Sequence, residues 1–200
     1  MFMKPFSESC VQNQAVILKQ LQQLCPYPAN VLEVGSGTGQ HAVYFARHLP
    51  HLNWYTSDQL EYHSGIKLWV NESGLYNVHL PVELNVKQQN WPDLSIDIVF
   101  SANTAHIMSQ AEVEFFFHGV GLQLNEGGLF ILYGPFNYNG QYTSESNAQF
   151  DIWLKQRNSL SCIKDFEFVN KLAAQAGMTL LQDISMPANN KILCWKKTSP

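Results

Sequence analysis

Apolar residues along this chain change period repeatedly: runs of strand length alternate with stretches in which they return every three or four places. Val11, Ala15, Leu18 and Leu21 give a first helix a stripe, and Cys25-Pro26-Tyr27-Pro28 ends it. Asn30 to Val34 reads as the first strand. Ala42, Phe45, Ala46 and Leu49 then give a second helix one apolar face. Leu52 to Ser57 is a second strand; Ile66, Leu68, Trp69 and Val70 belong to a third helix that stops near Gly74. Val78 to Val86 and Ile96 to Ser101 supply strands three and four. Val113, Phe116, Phe117 and Val120 repeat the helical stripe, and Asn125-Glu126-Gly127-Gly128 turns into a fifth strand, Leu129 to Tyr133. Such alternation signals βαβ units around a parallel sheet.

The last quarter breaks the repeat. Gly134-Pro135-Phe136-Asn137-Tyr138-Asn139-Gly140 is turn-rich, and Thr143 to Arg157 reads as a polar helix, an inserted cover around residues 134–160. Val169, Leu172, Ala173 and Ala176 form one more helical face ending at Gly177. Thr179 to Ser185 and Lys191 to Lys196 follow as strands, and the link between them is too short for a helical crossover, so they should pair antiparallel. No internal repeat or linker divides the chain, which predicts one domain over 1–200.

The 200 residues are 46% hydrophobic and 14% charged, enough for a sizeable core and unlike a disordered chain. Twelve Lys and Arg against sixteen Asp and Glu give a mild negative balance with no basic run, which disfavours a nucleic-acid partner. Cys10, Cys25, Cys162 and Cys194 are scattered, so neither a zinc site nor a disulfide framework is indicated. Met1 to Pro5 lacks the apolar run of a signal peptide, and no stretch is apolar for long enough to span a bilayer. The expectation is a soluble, cytoplasmic protein.

The first strand leads into Gly35-Ser36-Gly37-Thr38-Gly39-Gln40, a G-x-G-x-G loop that opens a helix. Lacking Cβ atoms, the glycines can take positive φ and bring backbone amides against a nucleotide-like ligand. A dinucleotide loop would carry its third glycine one place later, where Gln40 stands, so the spacing leans away from NAD and FAD. It resembles motif I of the class I methyltransferases that use S-adenosylmethionine; the bland alternative is a tight turn without a ligand. The resemblance implies a Rossmann-like α/β fold with a seven-stranded, mostly parallel sheet, an antiparallel last strand and helices on both faces.

Ser36 to Ala42, Leu132-Tyr133-Gly134-Pro135-Phe136, Thr143 to Ala148 and Met186-Pro187-Ala188-Asn189-Asn190 recur together in one family. From Lys4-Pro5-Phe6-Ser7 to Trp195-Lys196 the chain is similar to the group called domain of unknown function 938, which includes methyltransferase-like protein 26. That family usually carries an acidic-basic-Asn triplet near the N-terminus; Val11-Gln12-Asn13 keeps only the Asn.

With S-adenosylmethionine as the implied cofactor, Gly35, Ser36, Gly37, Thr38 and Gly39 would cradle it, and Glu33 would attract its methionine ammonium, directly or through water. Asp58, about 20 residues past the last glycine, either accepts both ribose hydroxyls or caps the next helix. Asn85 and Val86 should flank the adenine, Asn85 standing where many related enzymes carry Asp. Trp91 either stacks on that base or packs beside Pro92.

Methyl transfer needs little covalent help, since the sulfonium is an activated leaving group and alignment supplies much of the rate. Ser101-Ala102-Asn103-Thr104-Ala105-His106 follows strand four, at the carboxyl edge where open α/β sheets bind ligands. His106 is the candidate base, or it starts the next helix and shapes the pocket. Asn103 reads as a positioning group beside the cofactor. No Asn-Pro-Pro-Tyr follows strand four, unlike the nucleobase and glutamine amino-methylating enzymes. No carboxylate lies between Ser101 and His106, unlike the magnesium-dependent catechol type. Nor is there the acidic pair that an aminopropyl-transferring relative would need. His48-x-x-His51 lacks further ligands, so no metal is expected.

Tyr133, Phe136, Asn137, Ser144, Glu145, Ser146, Asn147 and Asp151 cluster around the end of strand five, and their mixture of aromatic and polar groups suits a small, partly polar acceptor. Ser144 also reads as an N-cap and Asp151 as a solvated helical residue. Asn189 and Asn190 suit a hairpin turn as well as a site, and Asn13 lies on an N-terminal helix of the kind that lids such pockets. The sequence therefore predicts a methyltransferase acting on a small molecule, as monomer or homodimer, with no nucleic-acid or membrane partner. A noncatalytic S-adenosylmethionine-binding or protein-interaction module is the alternative.

Overall fold

The computed structural model describes residues 4–88 and 91–198. Met1 to Met3, within the stretch read for a targeting signal, lie outside the described residues. Two compact units carry the elements. The first, residues 4–85 and 92–100, holds α1 (Glu8–Leu24), β1 (Ala29–Val34), α2 (Gln40–His48), β2 (Leu52–Asp58), a 3-10 turn Leu60–Tyr62, α3 (His63–Ser73), β3 (Val78–Glu83) and most of β4 (Ile96–Ala102). β1 runs parallel to both β2 and β4, and β2 runs parallel to β3. Phe45, Trp54 and Phe100 are fully buried, with ring centroids 5.5 to 5.6 Å apart, and form the centre of this unit.

The second unit, residues 86–88, 91 and 101–198, holds α4 (Gln110–Gln123), β5 (Leu124–Gly134), β6 (Phe136–Asn137), α5 (Glu145–Arg157), β7 (Lys164–Asp165), α6 (Phe166–Gln175), β8 (Met178–Met186) and β9 (Asn190–Lys197). β5 and β8 both pair antiparallel with β9, and β6 pairs parallel with β7. Phe116, Phe117, Phe130 and Trp195 build its aromatic core, each buried. The sheet has seven strands in the order β3-β2-β1-β4-β5-β9-β8, mostly parallel with the last strand antiparallel and helices around it.

Most expected elements stand within two residues of their sequence boundaries, and three differ for physical reasons. In α1 the buried face is Asn13, Ile17, Leu18 and Leu21, while Val11 and Ala15 are exposed. A buried asparagine holding a hydrogen bond occupies one position of the stripe, and an apolar pattern cannot see it. β3 ends at Glu83 rather than Val86, because Leu84 turns its amide to the Asp58 carbonyl at 3.0 Å. β5 begins at Leu124, running through the expected turn with Gly127 at φ 75°.

Trp91 packs in the second unit. Its ring lies 6.5 Å from that of Phe116, and a Cβ built on Gly119 would stand 2.1 Å from its Cε2. Gly119→Ala must displace the indole, an overpacking cost of about 1–3 kcal/mol, against roughly 1 kcal/mol of helix propensity gained. A lower urea midpoint is expected; an unchanged midpoint would show that the indole is free to leave.

Candidate functional site

At the end of β1 the backbone passes through Gly35, Gly37 and Gly39 with φ of 78°, 57° and 89°. At Gly37 a Cβ would meet nothing within 4 Å, so the loop is open there. At Gly39 it would stand 3.1 Å from Ile66 Cα and 3.2 Å from Trp69 Cβ, so the missing side chain lets the loop close on α3. Gly39 is also the N-cap of α2 and has no side chain to cap it; Thr38 Oγ1 accepts the Gln40 amide at 3.3 Å, and the other first-turn amides face the loop end where a helix start favours an anion.

Glu33 is 2% exposed, and its Oε2 accepts from Ser36 Oγ at 2.9 Å and Trp54 Nε1 at 3.2 Å. Burial pushes its pKa up to about 7, against the opposing pull of those two hydrogen bonds. Ser36 Oγ also accepts the Ser57 amide at 3.1 Å, and Thr38 Oγ1 donates to Gln40 Oε1 at 3.1 Å. Asp58 closes the group: Oδ2 accepts the Gly37 amide and Oδ1 the Gln59 amide, both at 2.8 Å. Burial raises its pKa and the two amides oppose the rise. Its side chain caps neither the 3-10 turn nor α3, so the helix-capping reading of Asp58 gives way. Asn85 follows directly on Leu84, whose amide is anchored on Asp58; Val86 opens the second unit.

Gly37 and Thr38 face a cleft of about 450 Å³ that Pro5, Glu61, Tyr62 and Ser64 also line, within the usual size of small-molecule sites. One wall is the segment before α1. Pro5 packs on Gly65 and its carbonyl accepts Trp69 Nε1 at 2.7 Å, while Lys4 Nζ lies 3.7 Å from the Trp69 ring centre. Gln40 Oε1 accepts the Ser7 amide. Asn13 is buried and committed to His41, with Oδ1 2.7 Å from Nε2. Burial lowers the His41 pKa to about 4.

In the second unit Asn103 stands at φ 60°, its amide donating to the Tyr133 carbonyl at 2.9 Å. His106 is 7% exposed, edge-on to Phe150 at 5.2 Å, and close to Gly134. Burial, helped by the nearby Lys164 ammonium, holds its pKa near 4, so it is neutral at pH 7 and a poor proton acceptor. Tyr133 and Phe136 are buried. Asn137 is 8% exposed with Oδ1 unpartnered; it pairs in register with Asp165, so strand alternation sets it opposite to Phe136 and Lys164.

The cover residues are mostly engaged with one another. Ser144 Oγ caps α5 through the Asn147 amide at 3.1 Å. Asn147 Nδ2 donates to Thr143 Oγ1 at 2.8 Å and to the Asn189 carbonyl at 3.1 Å, and Asn189 Nδ2 donates to Ser146 Oγ at 3.1 Å. These bonds tie the Thr143 to Ala148 segment to the Met186 to Asn190 segment. Ala188 and Asn189, both at φ 56°, make the turn, and Asn190 Nδ2 donates back to the Pro187 carbonyl. Glu145 is exposed and accepts from Gln149. Asp151 is buried rather than solvated: Oδ1 accepts the Ile163 amide at 2.6 Å, and Oδ2 accepts from Tyr142 at 2.8 Å and Lys155 at 2.6 Å. Burial raises its pKa, but Lys155, the Ile163 amide and Tyr142 outweigh that and hold it below the ordinary carboxylate value. His48 and His51 each face a backbone carbonyl, of Tyr44 and Cys25. Sequence reasoning missed Trp54, His41 and Lys164, none of which stands in a local pattern that marks a site. Among the described residues no helix is long and apolar enough to cross a membrane.

A family model described as "Protein of unknown function (DUF938)" matches residues 4–197. Among solved structures, the chain is similar to an O-methyltransferase family protein from Burkholderia thailandensis, with a TM-score of 0.83 and 15% identity over 96% of this chain and 58% of that one. It is also similar to human N-acetylserotonin methyltransferase in complex with S-adenosylmethionine, with a TM-score of 0.81 and 14% identity over 96% and 53%. An O-methyltransferase family 2 protein from Planctomyces limnophilus in complex with apigenin gives a TM-score of 0.76 and 12% identity over 92% and 62%. At these identities the likeness is one of fold, the Rossmann-like fold of S-adenosylmethionine-dependent methyltransferases. The chain spans little more than half the length of those proteins.

Proposed function

We propose that this chain, which belongs to the DUF938 family, is an S-adenosylmethionine-dependent methyltransferase acting on a small-molecule acceptor. The observation that carries the reading is the Glu33, Gly37 and Asp58 group. A loop open at Gly37, a start of α2 whose N-cap glycine has no side chain, and a buried and a half-buried carboxylate on neighbouring strand ends suit a ligand that has an ammonium at one end and ribose hydroxyls at the other. Gly35, Ser36, Gly37, Thr38 and Gly39 would line it, Glu33 would meet the ammonium, Asp58 the ribose, and Asn85, next to the Leu84 amide anchored on Asp58, the adenine. When bound, the cofactor supplies a methyl group already activated on sulfur; the protein's part is to align the acceptor and exclude water.

Tyr133, Phe136 and His106 wall the acceptor, with His106 as a neutral positioning group. Asn137, Ser144, Glu145, Asn147, Asp151, Asn189 and Asn190 shape or brace the cover over residues 134–160, and Asn13 braces α2 through His41. The shared segments favour the group of methyltransferase-like protein 26 within the family, and a cytoplasmic location fits the composition. Calorimetric titration with S-adenosylmethionine and S-adenosylhomocysteine tests the reading. Dissociation constants in the range of about 1–100 μM are expected. Failure to bind either ligand would remove it.

A further inference from the structure

Lys164 has a cation's cost without a cation's usual partner. It is 4% exposed, and its ammonium donates to the Met108 carbonyl at 2.7 Å, the Cys162 carbonyl at 2.9 Å and Cys162 Sγ at 3.3 Å. Among the described residues no carboxylate lies within ion-pair distance of it. A buried charge without a counter-ion is costly, and an apolar side chain of similar length would fill the space without that cost. Two of its three protons go to strong acceptors. The third meets a thiol sulfur, a weak acceptor, and that is the position an anionic oxygen can take over.

The surroundings agree on the sign of the missing charge. Met108 lies two residues beyond His106, and Lys164 pairs in register with Phe136. His106 lies edge-on to Phe150, and its two ring nitrogens offer a donor and an acceptor to a ligand beside it. The carboxylate of Asp151 is taken up by Lys155, Tyr142 and the Ile163 amide, so it does not offset Lys164. A cationic amine would be repelled here, and a neutral alcohol would need a base that His106, held neutral by burial beside an ammonium, is poorly suited to be.

The geometry points to an acceptor that arrives as an oxyanion, a small carboxylate or ionised phenol, with its charge met by Lys164 and its orientation set by His106. This rests on the methyltransferase reading above. The acceptor oxygen forms a bond to the methyl carbon as the sulfur–methyl bond breaks and its electron pair returns to sulfur. The anionic and sulfonium charges cancel, giving a neutral methyl ester or ether and a thioether, with no proton to remove.

Ligand-observed NMR with the intact chain and saturating S-adenosylhomocysteine compares four probes at millimolar concentration: benzoate, 4-nitrophenolate, benzamide and benzylamine. One or both anions should bind at least about tenfold tighter than benzamide, with benzylamine weakest, and which anion wins separates a carboxylate from a phenolate acceptor. Lys164→Met should erase the preference and Lys164→Arg should keep most of it; if the first variant fails to fold, the ratios in the unaltered chain and in Lys164→Arg decide. Equal binding of benzoate, nitrophenolate and benzamide, tighter binding of benzylamine, or no binding of any probe would overturn the proposal. S-adenosylhomocysteine affinity, measured in the same samples, tells the two failures apart: retained, only the oxyanion inference falls; absent, the methyltransferase reading falls with it.

Discussion

Asp58→Ala is expected to weaken S-adenosylhomocysteine binding about a hundredfold, a loss of roughly 3 kcal/mol. Two effects add. The ribose loses a charged acceptor for its hydroxyls, and hydrogen bonds to ionised groups contribute about 1.5–3 kcal/mol each. The glycine loop also loses its anchor, because Asp58 Oδ2 is what holds the Gly37 amide at 2.8 Å. Gly35, Ser36 and Gly39 keep their own bonds to Ser57 and Ser36, so the loss is local to Gly37, which is open on its Cβ side. Asp58→Asn keeps one acceptor oxygen and should fall between, roughly tenfold weaker. Circular dichroism of both variants separates lost binding from lost fold. Wild-type affinity in Asp58→Ala would sink the ribose role and return this carboxylate to loop anchoring alone.

What the sequence revealed and what it concealed follows from how far each constraint reaches along the chain. The glycine loop was legible because positive φ at 35, 37 and 39 is a local backbone demand that glycine meets without strain. The stripe Val113, Phe116, Phe117 and Val120 was legible because all four residues are buried together on α4. The true face of α1 was hidden by Asn13, whose burial depends on His41, 28 residues away. Lys164 was hidden more deeply. In Cys162-Ile163-Lys164-Asp165 a lysine beside an aspartate reads as ordinary surface charge, and it is the carbonyl of Met108, 56 residues earlier, that marks its buried place. Asp151 shows the converse error: a helical carboxylate that looks solvated is buried because the Ile163 amide and Tyr142 close over it. Local geometry and repeating apolarity survive in one sequence; polar burial is decided by partners that the pattern does not name.

Glu33 carries the second large expectation. Its pKa in the folded chain is raised from 4.5 to about 7, chiefly by burial. A carboxyl raised in this way binds its proton more tightly folded than unfolded. Its contribution to stability is therefore present below about pH 4.5 and lost as the pH rises through about 7. The whole span amounts to roughly 3 kcal/mol, as an order of magnitude. Urea unfolding of the ligand-free chain should accordingly show stability falling between about pH 5 and pH 8, and Glu33→Gln should remove most of that slope. The same proton should report on ligand binding. An ammonium beside Glu33 favours its ionised form, so S-adenosylhomocysteine binding at about pH 6 should release close to one proton, read as a dependence of the calorimetric heat on the buffer's ionisation enthalpy. At about pH 8 the release should vanish, because Glu33 is already ionised before the ligand arrives. Glu33→Gln should release none at either pH and should bind about tenfold more weakly at the higher one, where the lost charge counts. If the variant kept the wild-type slope and proton release, another group would own the titration and Glu33 would be a structural brace between Ser36 and Trp54.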